Sequence, residues 1–187
     1  MFSTSPTFRL AYLLPVCAAL FAEGCATQKE GPHAVADLKP ASGSQTTGTV
    51  WLAQEADQVV VRVRVSGLVP NQEHGFHAHE KGDCSSPDAT SAGAHFNPNA
   101  KPHGPQSADH HAGDMPALKA DGAGVAQTTF AVKGTVFGAG ASDLVGKAFI
   151  VHEKADDYTT QPTGNSGKRI ACGVITLSGA PGAASQY

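Results

Sequence analysis

The 187-residue sequence has few charged residues and no long apolar segment. Charged residues make up 16% of the chain, against about 25% in an average soluble protein, which argues against a helical bundle or coiled coil. Acidic residues (16) outnumber basic residues (13), so the basic surplus typical of nucleic-acid-binding proteins is missing. No stretch reaches the roughly 20 apolar residues of a membrane-spanning helix. The chain is instead rich in Gly (21), Pro (12) and His (9), and the glycine and proline favour short strands joined by turn-rich loops.

The N-terminal segment is typical of an export signal. Arg9 precedes an apolar run from Leu10 to Ala22, which is short for a membrane span and has the length of a signal core. Cys25 follows this run and resembles a bacterial lipoprotein cleavage site, with ordinary cleavage nearby as the alternative. We therefore expect residues 1–24 to direct export to the bacterial periplasm, with Cys25 as the candidate lipid anchor to the membrane.

Two cysteines remain beyond this segment, Cys84 and Cys172. Two thiols in an exported chain most often form one disulfide, because the compartment is oxidising. The alternative is a pair of unrelated buried thiols. The remaining length suits one folded domain, which we expect at residues 34–178, after a short tether (25–33) and before a C-terminal tail (179–187).

The domain is all-β in its hydrophobic pattern. In one segment, buried-type and polar side chains alternate strictly, and this period of two predicts a strand with one buried face. Other short runs are rich in Val, Ile, Thr and Phe and are also typical of strands. Asp121-Gly122, between two such runs, predicts a tight hairpin. Glu80–Ala112 and Glu153–Lys168 are too long for turns, and we expect them to be functional loops. The alternating residues are Val59, Val61, Val63 and Val65, and the other predicted strands are Thr49–Ala53, Val125–Val132, Lys147–His152 and Ile170–Leu177.

Seven ligand-type side chains lie in these two loops and their flanking strands. His77 and His79 are two apart in a predicted strand, so both imidazoles point to the same face and can share one metal ion. A lone His-x-His pair is weak support, but seven such residues together predict a metal centre. Imidazole suits copper or zinc, and an added carboxylate is typical of tetrahedral zinc. The other five residues are His95, His103, His111, Asp114 and His152.

Five segments around these residues follow one another in a fixed order. They are residues 75–80 (GFHAHE), 94–98 (AHFNP), 111–114 (HAGD), 151–157 (VHEKADD) and 164–173 (GNSGKRIACG). Together they resemble the copper/zinc superoxide dismutase family over about residues 35–177. Residues 82–88 and the export signal are similar to the bacterial exported branch of that family. The loop after His152 is shorter than in the eukaryotic branch and lacks its Glu/Lys-rich stretch.

The resemblance implies a fold and two ligand sets. The fold is an eight-stranded antiparallel Greek-key barrel or sandwich, immunoglobulin-like in architecture. His110 competes with His111 for one zinc position, but the His-x-Gly-Asp match favours His111. His33 and His74 match no motif, and we expect them to be solvated or structural. The implied copper ligands are His77, His79, His95 and His152, and the implied zinc ligands are the bridging His95, His103, His111 and Asp114.

The resemblance also implies roles for residues outside the ligand sets. Asp156 resembles the carboxylate that holds one copper-ligand and one zinc-ligand histidine, and an ordinary loop aspartate is the alternative. Arg169 is the predicted guide for an anionic substrate, because a guanidinium stays charged. A carboxylate or backbone partner is its alternative role. Thr163 resembles the residue at the opposite rim of the channel. The implied Cys84–Cys172 bridge anchors the long loop to the final strand.

The implied activity is disproportionation of superoxide to dioxygen and hydrogen peroxide. Copper alternates between two oxidation states, zinc is structural, and His95 supplies a proton when it releases copper. We expect one copper and one zinc per subunit, and favour a homodimer over a monomer. The alternative function is a non-enzymatic periplasmic copper- or zinc-binding protein or chaperone on the same fold. Loss of a copper ligand or of Arg169 would mark that alternative, and here all are present.

Overall fold

The structure, a computed structural model, describes residues 33–138 and 140–178, together with Met1. The predicted export signal from residue 2 onward, the tether with Cys25, and the tail at 179–187 lie outside the described residues. In the part of the chain that is described, no helix has the length and apolar character that a membrane crossing needs.

The fold is all-β, and the paired strands run antiparallel. Eight strands form one sheet in the order β5-β8-β9-β1-β2-β3-β7, with β10 pairing with the first residues of β1, and β4 and β6 form a separate ladder. The pairs β3–β7 and β1–β9 join strands distant in the chain, as in a Greek key. The predicted fold class is confirmed. The strands are β1 (His33–Pro40), β2 (Thr47–Glu55), β3 (Gln58–Ser66), β4 (Glu73–His74), β5 (Phe76–His79), β6 (Leu118–Lys119), β7 (Ala126–Lys133), β8 (Ala148–His152), β9 (Arg169–Val174) and β10 (Thr176–Ser178).

The hydrophobic core lies under the strands that carry the metal-ligand residues. The alternating valines of β3 are fully buried, while Arg62 and Arg64 of the same strand are exposed. In β5, Phe76 joins this core and stacks on Phe149 of β8 with ring centroids 4.8 Å apart. Because side chains alternate along a strand, the two histidines of β5 point to the face opposite Phe76.

Two local details of the strand prediction are wrong. Asp121-Gly122 does form a turn, in which the Asp121 N–H donates to the Val125 carbonyl at 2.8 Å. The flanking strands β6 and β7 pair with β4 and β3, however, and not with each other. The run Ile170–Leu177 is interrupted at Ile175. Before this residue β9 pairs with β8 and with the last residues of β1, and after it β10 pairs with the first residues of β1. Turn signals and apolar runs are local, whereas packing between distant segments sets strand partners.

The two long loops are attached to the sheet close to β5. Residues 80–117 contain only the short 3-10 turn Thr90–Ala92, and residues 153–168 contain no strand or helix. The Phe96 N–H in the first loop donates to Ala78 O of β5 at 2.8 Å. The second loop accepts the Gly75 N–H at the Lys154 carbonyl, also at 2.8 Å. Both loops therefore bring their polar residues to the face of β5 that holds the histidines.

Candidate metal centre

Strand pairing and two isolated bridges collect the predicted ligands. β5, with His77 and His79, pairs antiparallel with β8, which ends at His152. Isolated bridges then join His79 to His95 and His77 to Asp114. Residues from two strands and the first long loop are thus held side by side by backbone hydrogen bonds, before any side chain is considered.

The four predicted copper ligands form one buried group. One ring nitrogen from each of His77, His79, His95 and His152 lies within 4.8 Å of the others. Among the described residues, one nitrogen in each ring has no hydrogen-bond partner: His77 Nδ1 and the Nε2 atoms of the other three. Unpartnered buried nitrogens are costly. This donor set fits an ion that prefers imidazole nitrogen, such as copper.

The other nitrogen of each of these rings makes a hydrogen bond to the protein, and this bond determines which nitrogen is left to bind a metal ion. His77 is bound through Nε2 and therefore presents Nδ1, whereas the other three are bound through Nδ1 and present Nε2. The sequence contains no signal for this difference. The bonds are His77 Nε2 to Asp156 Oδ2 (2.6 Å), His79 Nδ1 to Gly93 O (2.9 Å), His95 Nδ1 to Asp114 Oδ1 (2.9 Å) and His152 Nδ1 to Gly167 O (3.3 Å).

The four predicted zinc ligands form a second group that shares His95 with the first. Asp114 Oδ1 lies 2.9 Å from His95 Nδ1, 3.0 Å from His103 Nδ1 and 3.3 Å from His111 Nδ1. The His95 and His111 Nδ1 atoms are 3.4 Å apart. A tetrahedral zinc ion with bonds of about 2.0–2.1 Å separates its ligand atoms by about 3.3 Å. The spacing and the three-nitrogen, one-oxygen composition therefore fit zinc.

Asp156 joins the two groups. Its Oδ2 contacts His77 Nε2 at 2.6 Å and its Oδ1 contacts His103 Nε2 at 2.9 Å. The side chain thus contacts one predicted ligand of each metal, as the resemblance implies. Gly164 leaves room for this arrangement, because a Cβ there would collide with Asp156 Oδ1 and His103 Nε2, and its φ of +64° is one that glycine readily adopts.

The neutral form of the imidazole, which binds metal ions, is favoured in the group of four predicted copper ligands (the copper group). Burial, reinforced by neighbouring positive charges, lowers the pKa of His95 to about 4 and those of His79 and His152 well below the usual value. Burial also acts on His103, but its hydrogen bonds to Asp114 and Asp156 outweigh it and raise the pKa to about 9. Burial raises the pKa of the Asp114 and Asp156 carboxyls, but their hydrogen bonds to histidines outweigh burial and hold each pKa below its usual range. Zinc binding at His103 would therefore displace a proton from this ring.

Arg169 contacts backbone carbonyls of the first loop. Its guanidinium is half-buried and donates to Ala89 O and Gly93 O, each at 2.8 Å. Gly93 O also accepts the His79 Nδ1–H, so Arg169 reaches the copper group through one shared carbonyl. This is the backbone-partner alternative that the sequence left open. Thr163 is exposed, and its carbonyl accepts the Ser166 hydroxyl at 3.1 Å.

The three remaining histidines lie outside both groups within the described chain. His74 is fully buried, and its Nδ1 donates to the His152 carbonyl at 2.9 Å, so it is structural. His110 is only part-buried, and its Nδ1–H donates to Ala108 O at 2.7 Å. His33 begins β1. The structure therefore brings His111, and not His110, to the zinc group.

Several functional contacts were not predicted from the sequence. The carbonyls of Gly93 and Gly167 orient two copper-group rings, and any residue type carries a carbonyl. Gln161 and Tyr158 contact His103 from the second loop. No spacing rule links positions this far apart, so no local signal could have identified them.

A protein-family model described as copper/zinc superoxide dismutase (SODC) matches residues 46–175, which include every residue of both groups. The chain belongs to the copper/zinc superoxide dismutase family. Two bacterial relatives cover most of the sequence. The chain is similar to "Superoxide dismutase-like protein YojM" of Bacillus subtilis, 35% identical over 184 residues that cover 87% of this chain and 94% of the relative. It is also similar to "Superoxide dismutase [Cu-Zn] 1" of Aquifex aeolicus, 38% identical over 165 residues, covering 86% and 95% of the two chains.

One further relative and one solved structure also resemble this chain. A "Superoxide dismutase [Cu-Zn]" of Paramecium bursaria Chlorella virus 1 is 42% identical over 135 residues, covering 68% of this chain and 71% of the relative. The solved structure titled "Crystal Structure Analysis of the clock protein EA4" has a TM-score of 0.70 and 34% identity, covering 78% of this chain and 94% of that one. The family model and the sequence relatives thus place the chain in the family.

Proposed function

We propose that the protein disproportionates superoxide to dioxygen and hydrogen peroxide at a copper site that His95 bridges to a structural zinc. The observation that carries the proposal is the pair of buried donor groups that share His95, four imidazoles in one and three imidazoles with one carboxylate in the other. When bound, copper would supply one-electron redox chemistry, and zinc, which has no redox chemistry, would hold geometry and charge.

His95 has the contacts needed to hold and deliver a proton. Its Nδ1 lies 2.9 Å from Asp114 Oδ1 and 3.4 Å from His111 Nδ1, while its buried Nε2 has no hydrogen-bond partner in the described part of the chain. With Nδ1 holding the ring in the zinc group, Nε2 would be available to hold either copper or a proton. A proton at this atom would stand next to the substrate position, where it can be passed to the product.

Arg169 supplies positive charge beside the copper group. Burial is the main cause that lowers the pKa of His79 and His152, and the positive charge of Arg169 lowers both further. Superoxide is an anion and the whole chain carries a net charge of −3, so the overall field repels it. A local positive group near the copper position offsets this repulsion, and we assign that task to Arg169.

Arg169→Ala is expected to lower the second-order rate constant for superoxide about tenfold. A unit charge about 4 Å from an anion contributes roughly 1 kcal/mol in water and about 4 kcal/mol at an effective dielectric of 20, and the half-buried guanidinium lies between these limits. Arg169→Lys should fall between wild type and Arg169→Ala, since it keeps the charge and loses the fork. The measurement is the rate constant as a function of ionic strength, and wild type should slow more with salt than Arg169→Ala.

Arg64→Ala is the matched control for Arg169→Ala. Arg64 is an exposed residue of β3 that donates to Gln127 at 2.8 Å, so its removal changes the net charge equally without touching the metal groups. Its rate constant and salt dependence should stay close to wild type. If Arg169→Ala loses copper in proportion to activity, Arg169 contributes mainly through its two carbonyl contacts, which hold the copper group in place, and the guiding role is wrong.

The whole proposal is tested by metal analysis combined with a superoxide decay assay on the mature protein. We expect protein loaded with copper and zinc to accelerate decay strongly, and protein loaded with zinc alone to be inactive. The second candidate is a non-enzymatic copper- and zinc-binding protein, which the "superoxide dismutase-like" name of the B. subtilis relative favours. Stoichiometric binding of both metals without accelerated decay would establish that candidate instead.

We further propose that the chain is exported to the periplasm, that Cys25 is the candidate lipid attachment point, and that it acts as a homodimer. The N-terminal pattern supports export. A disulfide between Cys84 and Cys172 supports it independently, because such bonds persist in oxidising compartments.

A further inference from the structure

His103 is the predicted zinc ligand with the weakest backbone support. It lies in the first long loop between Pro102 and Gly104, outside every strand and bridge of the described chain. Proline has no N–H to donate, and the loop offers no sheet ladder on either side. The other six ligand residues are held by strands or bridges or, for His111, by the Asp114 N–H that donates to its carbonyl at 3.0 Å.

The side chain of Gln161 supplies the backbone support that His103 lacks. Its Oε1 accepts the His103 N–H at 2.8 Å, and its Nε2 donates to the His103 carbonyl, also at 2.8 Å. One carboxamide thus satisfies both backbone groups of the same residue, as a neighbouring strand would. Two simultaneous bonds fix the orientation of the two peptide units on either side of the His103 Cα as well as their distance from the second loop.

The same stretch of the second loop also holds the His103 ring. Asp156 Oδ1 contacts Nε2 at 2.9 Å, and Tyr158 lies nearly parallel to the ring at 5°, with ring centroids 6.5 Å apart. The Tyr158 N–H donates to the same Asp156 oxygen at 2.8 Å. Residues 156–161 therefore contact His103 at its ring and at its backbone, with Gln161 providing the backbone contacts.

We propose that Gln161 is a positioning residue of the zinc group, which sets the direction of His103 Nδ1 by clamping the His103 backbone. The inference rests on the proposed function, because it takes zinc to be the ion of this group. It adds that the second loop, through an amide that touches no ligand atom, controls the geometry of the zinc position. The second loop thereby acts on the zinc position through its contact with the first loop.

Gln161→Ala is expected to lower the affinity for Zn²⁺ about tenfold, the lower end of the range for groups that orient metal ligands. Cobalt(II) bound in place of zinc should show weaker or shifted visible absorption bands, because these bands report ligand geometry. Gln161→Glu keeps an acceptor for the His103 N–H and loses the donor to its carbonyl, so we expect an intermediate affinity. The measurements are Zn²⁺ competition titration and the Co²⁺ spectrum of the full mature chain.

Thr160→Ala is the matched control, since Thr160 lies in the same loop and its hydroxyl donates within that loop, to Asp157 at 2.6 Å. It should keep wild-type affinity and Co²⁺ spectrum. If Gln161→Ala lowers the unfolding midpoint of the metal-free protein while affinity and spectrum stay unchanged, Gln161 only stabilises the loop and the inference is wrong. If wild type itself binds no Zn²⁺ or Co²⁺ in this group, the proposed zinc site fails instead.

Discussion

Replacing His95 with alanine is expected to lower superoxide dismutation at least about 100-fold and to uncouple the two metal positions. Within the described chain, His95 is the residue common to both donor groups. Its loss removes one ligand from each group and the proton that general acid catalysis requires, a contribution of about 10²–10⁴ in rate. When Co²⁺ replaces zinc beside Cu²⁺, the bridging imidazole should couple the two spins in wild type and suppress the copper resonance. The resonance should reappear in His95→Ala.

Two neighbouring histidines provide the comparison for His95→Ala. His110→Ala removes a part-buried imidazole that bonds only to Ala108 O, so activity and spin coupling should remain. His111→Ala removes a member of the zinc group and should lose zinc. A copper resonance that stays suppressed in His95→Ala would show that His95 is not the bridge. Equal losses in the His95 and His110 variants would contradict the assignment as well.

Replacing both Cys84 and Cys172 with serine is expected to cost about 4–5 kcal/mol of unfolding free energy. The cysteines are 88 residues apart, and closing a loop of that length in the unfolded chain sets this value in the loop-entropy model. The unfolding midpoint should fall by roughly 10–20 °C. The rate constant should also fall, because the bridge ties the loop that holds the Arg169 contacts to β9, the strand that Arg169 begins.

The reducing agent itself provides the control for the disulfide prediction. Reductant should lower the unfolding midpoint of wild type toward that of the double-serine variant, and should leave the variant unchanged. Thermal unfolding of metal-free protein, with and without reductant, separates this effect from metal loss. A double-serine variant as stable as wild type would mean that packing among Ala89, Ala92 and Ile150 already holds the loop in place.

The sequence by itself determined several of the strands and which residues could form the metal groups. Strict alternation buries the β3 valines, because side-chain direction in a strand depends only on parity along the chain. The same parity brings His77 and His79 to one face of β5. The ligand residues could be identified because imidazole and carboxylate are uncommon in such concentration, and their chemistry belongs to the residue type and not to its surroundings.

Tertiary structure decided how those residues are used. The nitrogen that His77 presents depends on Asp156, which is 79 residues away, and the backbone of His103 depends on Gln161, which is 58 residues away. Arg169 contacts carbonyls, which every residue carries, so its partners leave no trace in the sequence. Asp121-Gly122 turns the chain, but sheet packing selects the partners of β6 and β7. Hydrogen-bond direction and strand partnership arise from contacts between distant segments, and those exist only once the chain has folded.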